Sequence, residues 1–314
     1  MSNKNLLSGR DKELQELAEQ YEAAMSENKP FYQDADELAD LADWYGTKKR
    51  YDKAFEIAEY GLKLHPDSTE LMIEYAYLHL DNGKKAKARE IIENLPDTYS
   101  PEAKVVRAHL LLSEGKLDDA EQLLDTIEDK ADLANVVDVS YMYLDMGYPD
   151  KALAWLDPVK EEYSDEEAYI AVVADCLYGK GMTEEAIPLY NRLIDMNPYS
   201  APYWFGLARC HFEEMNFNQA IDACDYALVG DDEFADAYVM KGHCFYQLGN
   251  EDAALEYYQK AEELHGLAPE FIYTYIGLCK VSKGEWKEGY ENLEKAILEN
   301  ETDEIASPIL PSLY

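Results

Sequence analysis

Positive charge is scarce in this chain. Lys and Arg number 28 against 65 Asp and Glu, a formal charge of −37. Contact with a nucleic-acid backbone or an anionic lipid surface needs clustered cations, so this composition excludes both as partners. No run approaches the ~18 consecutive apolar residues that a membrane-spanning helix requires. The first ten residues, Met1 to Arg10, are polar, with no apolar core and no small-residue cleavage site, so no secretory leader is expected in them. Phenylalanine is rare as well, with 8 Phe beside 26 Tyr. Tyrosine buries a large ring while its hydroxyl can stay wet, which suits helix surfaces and interfaces. Because 47% of the residues are hydrophobic, the acidic excess does not mean disorder.

The motifs of familiar chemistry are also missing. There is no glycine-rich phosphate loop, no H-E-x-x-H helix and no G-x-S-x-G elbow. Acid pairs such as Glu184–Glu185 and Asp231–Asp232 are what 65 acids produce by chance. The neighbours Cys210–His211 and His243–Cys244 lack zinc-ligand spacing, and adjacent helical residues point about 100° apart. His211 falls at a core aromatic position and His243 on an inner helix face. No enzyme activity, metal or cofactor is therefore expected. One glycosylation triplet, Asn300-Glu301-Thr302, carries little weight without a leader.

What is present is a repeat. A turn followed by a small residue in an amphipathic run recurs at Ala54, Ala88, Ala120, Ala152, Ala186, Ala220, Ala254 and Gly289. The intervals are 34, 32, 32, 34, 34, 34 and 35 residues. Each unit reads as two helices. In the sixth, Trp204, Leu207, Ala208 and Phe212 make one stripe, and Ala220, Ile221, Cys224 and Leu228 the other. Gly83, Gly115, Gly147, Gly181, Gly249 and Gly284 mark the turns, where a helix end calls for positive φ; Met215 and Asn216 take that place in the sixth unit. Pro66, Pro96 and Pro198 close second helices, and Pro158 interrupts one.

The cysteines obey the same period. Cys176, Cys210, Cys244 and Cys279 are 34, 34 and 35 residues apart, at a position that earlier units fill with Trp44, Leu78, Leu110 and Met142. Stacked equivalents lie ~8–10 Å apart, beyond the reach of a disulfide. Cys thus serves as a small core residue, and free thiols favour a reducing, cytoplasmic setting.

These units resemble the tetratricopeptide repeats. The family favours an aromatic at position 4, Leu at 7, small residues at 8, Tyr at 11, Ala at 20, an aromatic at 24, Ala at 27 and Pro at 32. The sixth unit has Trp204, Leu207, Ala208, Ala220 and Ala227 in register. The first has Leu38, Leu41, Ala42, Tyr45, Ala54 and Pro66, and the seventh Tyr238, Gly242, Phe245, Ala254, Tyr258 and Ala261. The resemblance implies an all-α, right-handed superhelical solenoid of about eight helix-turn-helix units over residues 35–302. A capping helix is expected at 10–30, and a tail at 303–314.

It also implies a groove lined by positions 2, 5, 9, 12 and 13 of the first helices. Positions 5, 9 and 12 hold Tyr77, His109, Tyr141, Tyr178, Phe205, Arg209, Phe212, His243 and Tyr246, a face poorer in charge than the chain as a whole. No consecutive units carry the Lys/Asn/Arg clamp with which some members hold a terminal carboxylate, although Arg209 can pair a single acidic group. The expected function is a non-catalytic protein- or peptide-binding scaffold whose partner is neutral or basic with apolar anchors. The alternative is an assembly subunit that self-associates through its terminal repeat or through the C-terminal tail 303–314, which includes the Pro-rich run Ser307 to Tyr314.

Overall fold

A computed structural model describes residues 11–27, 29–264 and 268–299. The expectations for Met1 to Arg10, for Asn300-Glu301-Thr302 and for the 303–314 tail lie outside the described residues. Every regular element among the described residues is helical. The chain divides into two compact units, Met1–Met182 and Thr183–Tyr314. The border falls just past the turn glycine Gly181.

The first unit opens with α1 (Asp11–Ser26). Four hairpins follow: α2 (Ala35–Thr47) with α3 (Tyr51–Leu64), α4 (Thr69–Asp81) with α5 (Lys85–Glu93), α6 (Pro101–Ser113) with α7 (Leu117–Leu124), and α8 (Leu133–Asp145) with α9 (Pro149–Leu156). After α9 the chain runs through a 3₁₀ turn at Asp157–Val159, the short α10 (Lys160–Tyr163) and α11 (Glu167–Gly179). Pro158 sits inside that 3₁₀ turn and breaks the second helix, because its ring cannot continue an α-helical ladder. In the second unit, α12 (Thr183–Met196) precedes three hairpins. These are α13 (Ala201–Glu213) with α14 (Phe217–Gly230), α15 (Ala235–Gln247) with α16 (Glu251–Glu263), and α17 (Pro269–Ser282) with α18 (Trp286–Glu299).

One turn is used eight times. The second residue past each first helix has positive φ, and the next N–H reaches back to a carbonyl five residues earlier, as in a Schellman motif. Those bonds are Arg50 to Tyr45, Lys84 to His79, Lys116 to Leu111, Tyr148 to Tyr143, Met182 to Leu177, Asn216 to His211, Asn250 to Phe245 and Glu285 to Lys280, all 2.8–2.9 Å. Six of the positive-φ residues are the turn glycines; Lys49 and Met215 hold the other two places at φ 58°. First helices often start on a side-chain cap. Asp34, Ser68, Ser100 and Asp132 each accept the N–H three residues on, satisfying a donor the helix leaves open.

The repeat alanines form the seam of each hairpin. Ala54, Ala88, Ala120, Ala152, Ala220 and Ala254 are fully buried, which lets the paired helices approach closely; Ala186 on α12 is fully buried as well. In the last hairpin Gly289 stands at that position and Gly277 faces it. A methyl on Gly289 would lie 2.7 Å from Val281 Cγ2 and 3.1 Å from the Gly277 carbonyl oxygen. Helix α1 covers the first hairpin by burying Leu14, Ala18 and Tyr21 against a cluster that includes Leu38, Tyr45 and Ile57. At its edge, the Tyr21 and Tyr45 hydroxyls donate to Glu56 and Glu22 at 3.0 and 2.9 Å.

All five cysteines are buried and free. Burial pushes the Cys176, Cys244 and Cys279 thiols up to about 12, so they stay protonated and unreactive near neutral pH. The same repeat position in earlier hairpins buries Trp44, Leu78, Leu110 and Met142, as expected of a packing site.

Candidate functional site

First helices pack side by side in the first unit, α2 on α4, α4 on α6, α6 on α8 and α8 on α11, while each second helix lies against first helices. In this unit the arrangement leaves one face of each first helix turned away from its hairpin partner.

In the first unit Tyr77 and His109 come together, their rings 5.6 Å apart. Both are buried. Burial lowers the His109 imidazole to about 4, so it is neutral at pH 7. Tyr141 is half-buried and donates to Asp175 Oδ2 at 3.3 Å; Tyr178, on the same helix as Asp175, is also half-buried. Burial is likewise the main reason the Asp145 carboxyl is pushed up to about 6, with the charges of Asp81 and Asp175 adding to it.

Carboxylates gather beside the aromatic positions in this unit. A cavity of about 480 Å³ between α2, α4 and the start of α6 is lined by Asp36, Asp40, Asp43, Glu70, Glu74, Asp97 and Glu102, with Ala39, Ile73, Thr69 and Ser100. No cation is among these lining residues. The physical reason is helical periodicity. Positions 2 and 6 lie within a turn of 5 and 9, so their carboxylates share the surface with the aromatic positions. Position 2, which reads Asp36, Glu70 and Glu102, already held this signal in the sequence.

The second unit brings a different set together. Half-buried Phe205, Arg209 and Phe212 lie on α13, and half-buried His243 and Tyr246 on α15. The Arg209 guanidinium sits 5.6 Å from the Phe205 ring centre, and its Nη2 donates to the Tyr190 hydroxyl at 3.3 Å. Phe205 meets Phe234 edge-on at 5.2 Å, and Phe212 meets Phe217 at 5.5 Å. His243 is the hub. Its Nδ1 is hydrogen-bonded to the Tyr258 hydroxyl at 2.7 Å, and its ring contacts Tyr275 at 4.4 Å and Phe212 at 6.3 Å. Burial lowers it to about 4, leaving a neutral imidazole. Tyr258 and Tyr275 belong to this cluster by stacking at 5.2 Å. Sequence reasoning assigned Tyr258 to packing and did not single out Tyr275, which lies one place beyond position 5. Tyr246 reaches Ser282, their oxygens 3.4 Å apart. His211, in contrast, lies off this cluster and half-buried. Among the described residues, no group of three His, Cys, Asp or Glu side chains is placed to hold a metal ion.

This architecture has known counterparts. The family described as Tetratricopeptide repeat matches residues 47–108, and that described as Anaphase-promoting complex, cyclosome, subunit 3 matches residues 179–261. No curated protein is a significant sequence match. Among solved structures, a chain of the APC/C hetero-tetramer Cut9–Hcn1 is similar at 15% identity with a TM-score of 0.59, over 88% of this chain and 55% of that one. This chain thus spans little more than half the length of that relative. A tetratricopeptide repeat protein from Parabacteroides merdae is similar at 18% identity with a TM-score of 0.54, over 78% of this chain and 98% of that one. A thermophilic TPR protein from Thermus thermophilus gives 16% identity, a TM-score of 0.50, and 58% and 98% coverage. At such identities the likeness is one of fold. Residues 47–108 thus match the tetratricopeptide repeats by family, and the repeat period, the eightfold turn and the buried alanines carry the same helical-repeat fold along the described residues.

Proposed function

We propose that this protein is a non-catalytic scaffold that captures a segment of a partner protein on the inner faces of its first helices. Proteins of this fold generally mediate protein–protein interaction. The observation that carries the reading is the half-buried row Phe205, Phe212, His243 and Tyr246 on α13 and α15. Core packing accounts for part of each ring, and the remainder faces outward as aromatic surface of the kind that anchors interfaces. The rings are held by one another and by Arg209 and Tyr258, so binding would order little of the receptor. In the first unit, Tyr77, His109, Tyr141 and Tyr178 share their face with carboxylates, which favours a neutral or basic partner and rapid association at low salt.

The test begins with capture from native lysate on the full chain, followed by mass spectrometry to identify partners. The leading partner is then titrated against Tyr141→Ala and Phe212→Ala. Loss of an anchoring aromatic is expected to weaken binding by about tenfold or more. Affinity unchanged in both variants would count against the inner faces.

A further inference from the structure

The outer side of the second unit carries a ladder of aromatic rings, and most of its rungs are capped by the chain's own cations. At repeat position 4 the three hairpins place Trp204, Tyr238 and Tyr273; at position 26 they place Tyr226, Lys260 and Lys295. Lys295 Nζ lies 5.6 Å from the centre of the Tyr273 ring. Lys260 Nζ lies 6.0 Å from Tyr238 and 5.2 Å from Tyr257, and Lys241 adds a second ammonium 4.2 Å from Tyr257. In the hairpin of α13 and α14 the lysine is replaced by Tyr226, which stacks on Trp204 at 4.5 Å and 22°. Among the described residues no Lys or Arg lies over either ring.

This uncapped pair sits in an open, firmly built surface. Tyr226 is 56% exposed, Tyr199 74% and Val229 71%. Tyr226 and Val229 are one turn apart on α14, so they share a face. The Trp204 indole N–H donates to the Pro198 carbonyl at 2.8 Å, tying the ring to the loop that carries Tyr199. Gly230 closes the patch from below: a Cβ there would lie 2.2 Å from the Tyr199 carbonyl oxygen, so α14 is pressed against that loop. Two exposed carboxylates are close in sequence, Asp222 one turn before Tyr226 on α14 and Asp195 three residues before Pro198.

We propose that the Trp204–Tyr226 pair docks an arginine-bearing segment of a partner protein, the guanidinium taking the place that Lys260 and Lys295 hold on the neighbouring hairpins. Aromatic faces attract cations, and a planar guanidinium stacks on them better than a hydrated ammonium does. Asp222 and Asp195 supply the opposite charge. Val229 and Tyr199 offer apolar contact to the residues beside the arginine. A second copy of this chain is the wrong occupant, since it would bring another acidic surface against this one. The site is on the outer side, so it stands or falls apart from the inner-face reading.

The probe is the peptide acetyl-Leu-Arg-Leu-Arg-Leu-amide, compared with the same peptide carrying citrulline for arginine, which keeps the shape and removes the charge. The readout is the indole N–H resonance of Trp204 in the full chain, assigned with Trp204→Phe. The arginine peptide should shift that resonance saturably, and citrulline should weaken the effect by at least about fivefold. Tyr226→Lys, which installs the neighbours' own cap, should fold normally by circular dichroism and lose the response. Equal binding of the citrulline peptide, an undiminished response in Tyr226→Lys, or no shift of Trp204 at saturating peptide would each overturn the proposal.

Discussion

At the scale of single residues, two positions show how far local geometry overrides the repeat's preferred chemistry. Gly289 stands where every other hairpin has alanine. Restoring alanine follows the family pattern and improves helix propensity by about 1 kcal/mol. The backbone forbids the gain, because the new Cβ would meet Val281 N at 3.0 Å as well as the Gly277 carbonyl. Gly289→Ala should therefore destabilise the chain, by about 1–3 kcal/mol of overpacking, read as a lower urea midpoint; an equal or higher midpoint would show that α17 and α18 can separate freely. His243 makes a prediction about pH. Its folded value of about 4 lies below the ordinary 6.5. The unfolded chain therefore takes up this proton first as pH falls from 6.5 to 4, and stability drops across that window by roughly 1.4 kcal/mol per pH unit. Above pH 6.5 both states are neutral and the histidine adds no slope. His243→Phe should flatten the fall between pH 6.5 and 4 in urea titrations. Slopes identical to those of the parent would mean that the imidazole is charged in the fold or already solvated.

At the scale of helices, periodicity made most of the molecule legible in advance. Six turn glycines were visible because positive φ selects glycine. Met215 was visible only through the period, and Lys49 was not singled out, since neither side chain advertises that conformation. The 32-residue intervals correspond to short second helices, 9 residues in α5 and 8 in α7 against 14 in α3, α12 and α14. The aromatic residues of positions 5, 9 and 12 follow the same period. The acids beside them were missed because positions 5, 9 and 12 alone sample too narrow a stripe, and Asp97 lies in a loop that helical periodicity does not reach. Contacts between successive hairpins were illegible altogether. Lys241 is one: it is 5% exposed, pairs with Asp225 across the α14–α15 junction and lies over Tyr257. Nothing in α15 alone says that a buried lysine is tolerable there. Removing its counter-charge should be costly, because a buried ammonium would remain. Asp225→Asn is expected to cost about 1–3 kcal/mol, a discounted range because Asp225 itself is half exposed. Double replacement with Lys241→Met should recover part of that loss. If the single and double variants unfold at the same midpoint, the pair is not coupled.

At the scale of the whole molecule, the acidic excess sets a competition between repulsion and pairing. The ion pairs between side chains are mostly exposed, such as Lys87–Glu90, Lys130–Asp125 and Lys260–Glu256, and exposed pairs contribute ~0–1 kcal/mol each. Acids outnumber cations by 37, so most of the long-range electrostatic energy of the folded chain is repulsive. Carboxylates gathered on one inner face, as around the cavity of the first unit, concentrate that repulsion where folding brings them together. Salt screens both terms, with a Debye length falling from ~30 Å at 0.01 M to ~10 Å at 0.1 M. Because the repulsive charges are more numerous and on average farther apart than the paired ones, screening removes more repulsion than attraction. The melting temperature should therefore rise when NaCl is increased from about 10 to about 150 mM, by a few degrees for a ΔΔG near ~1 kcal/mol. Replacing Asp36, Glu70 and Glu102 together with their amides should raise the low-salt melting temperature and shrink its dependence on salt. A melting temperature that falls with added salt would mean that the ion pairs dominate after all. A salt dependence unchanged by the triple replacement would place the repulsion elsewhere than on the inner face. In that case the acids of the first unit would serve the approach of a basic partner without straining the fold that presents them.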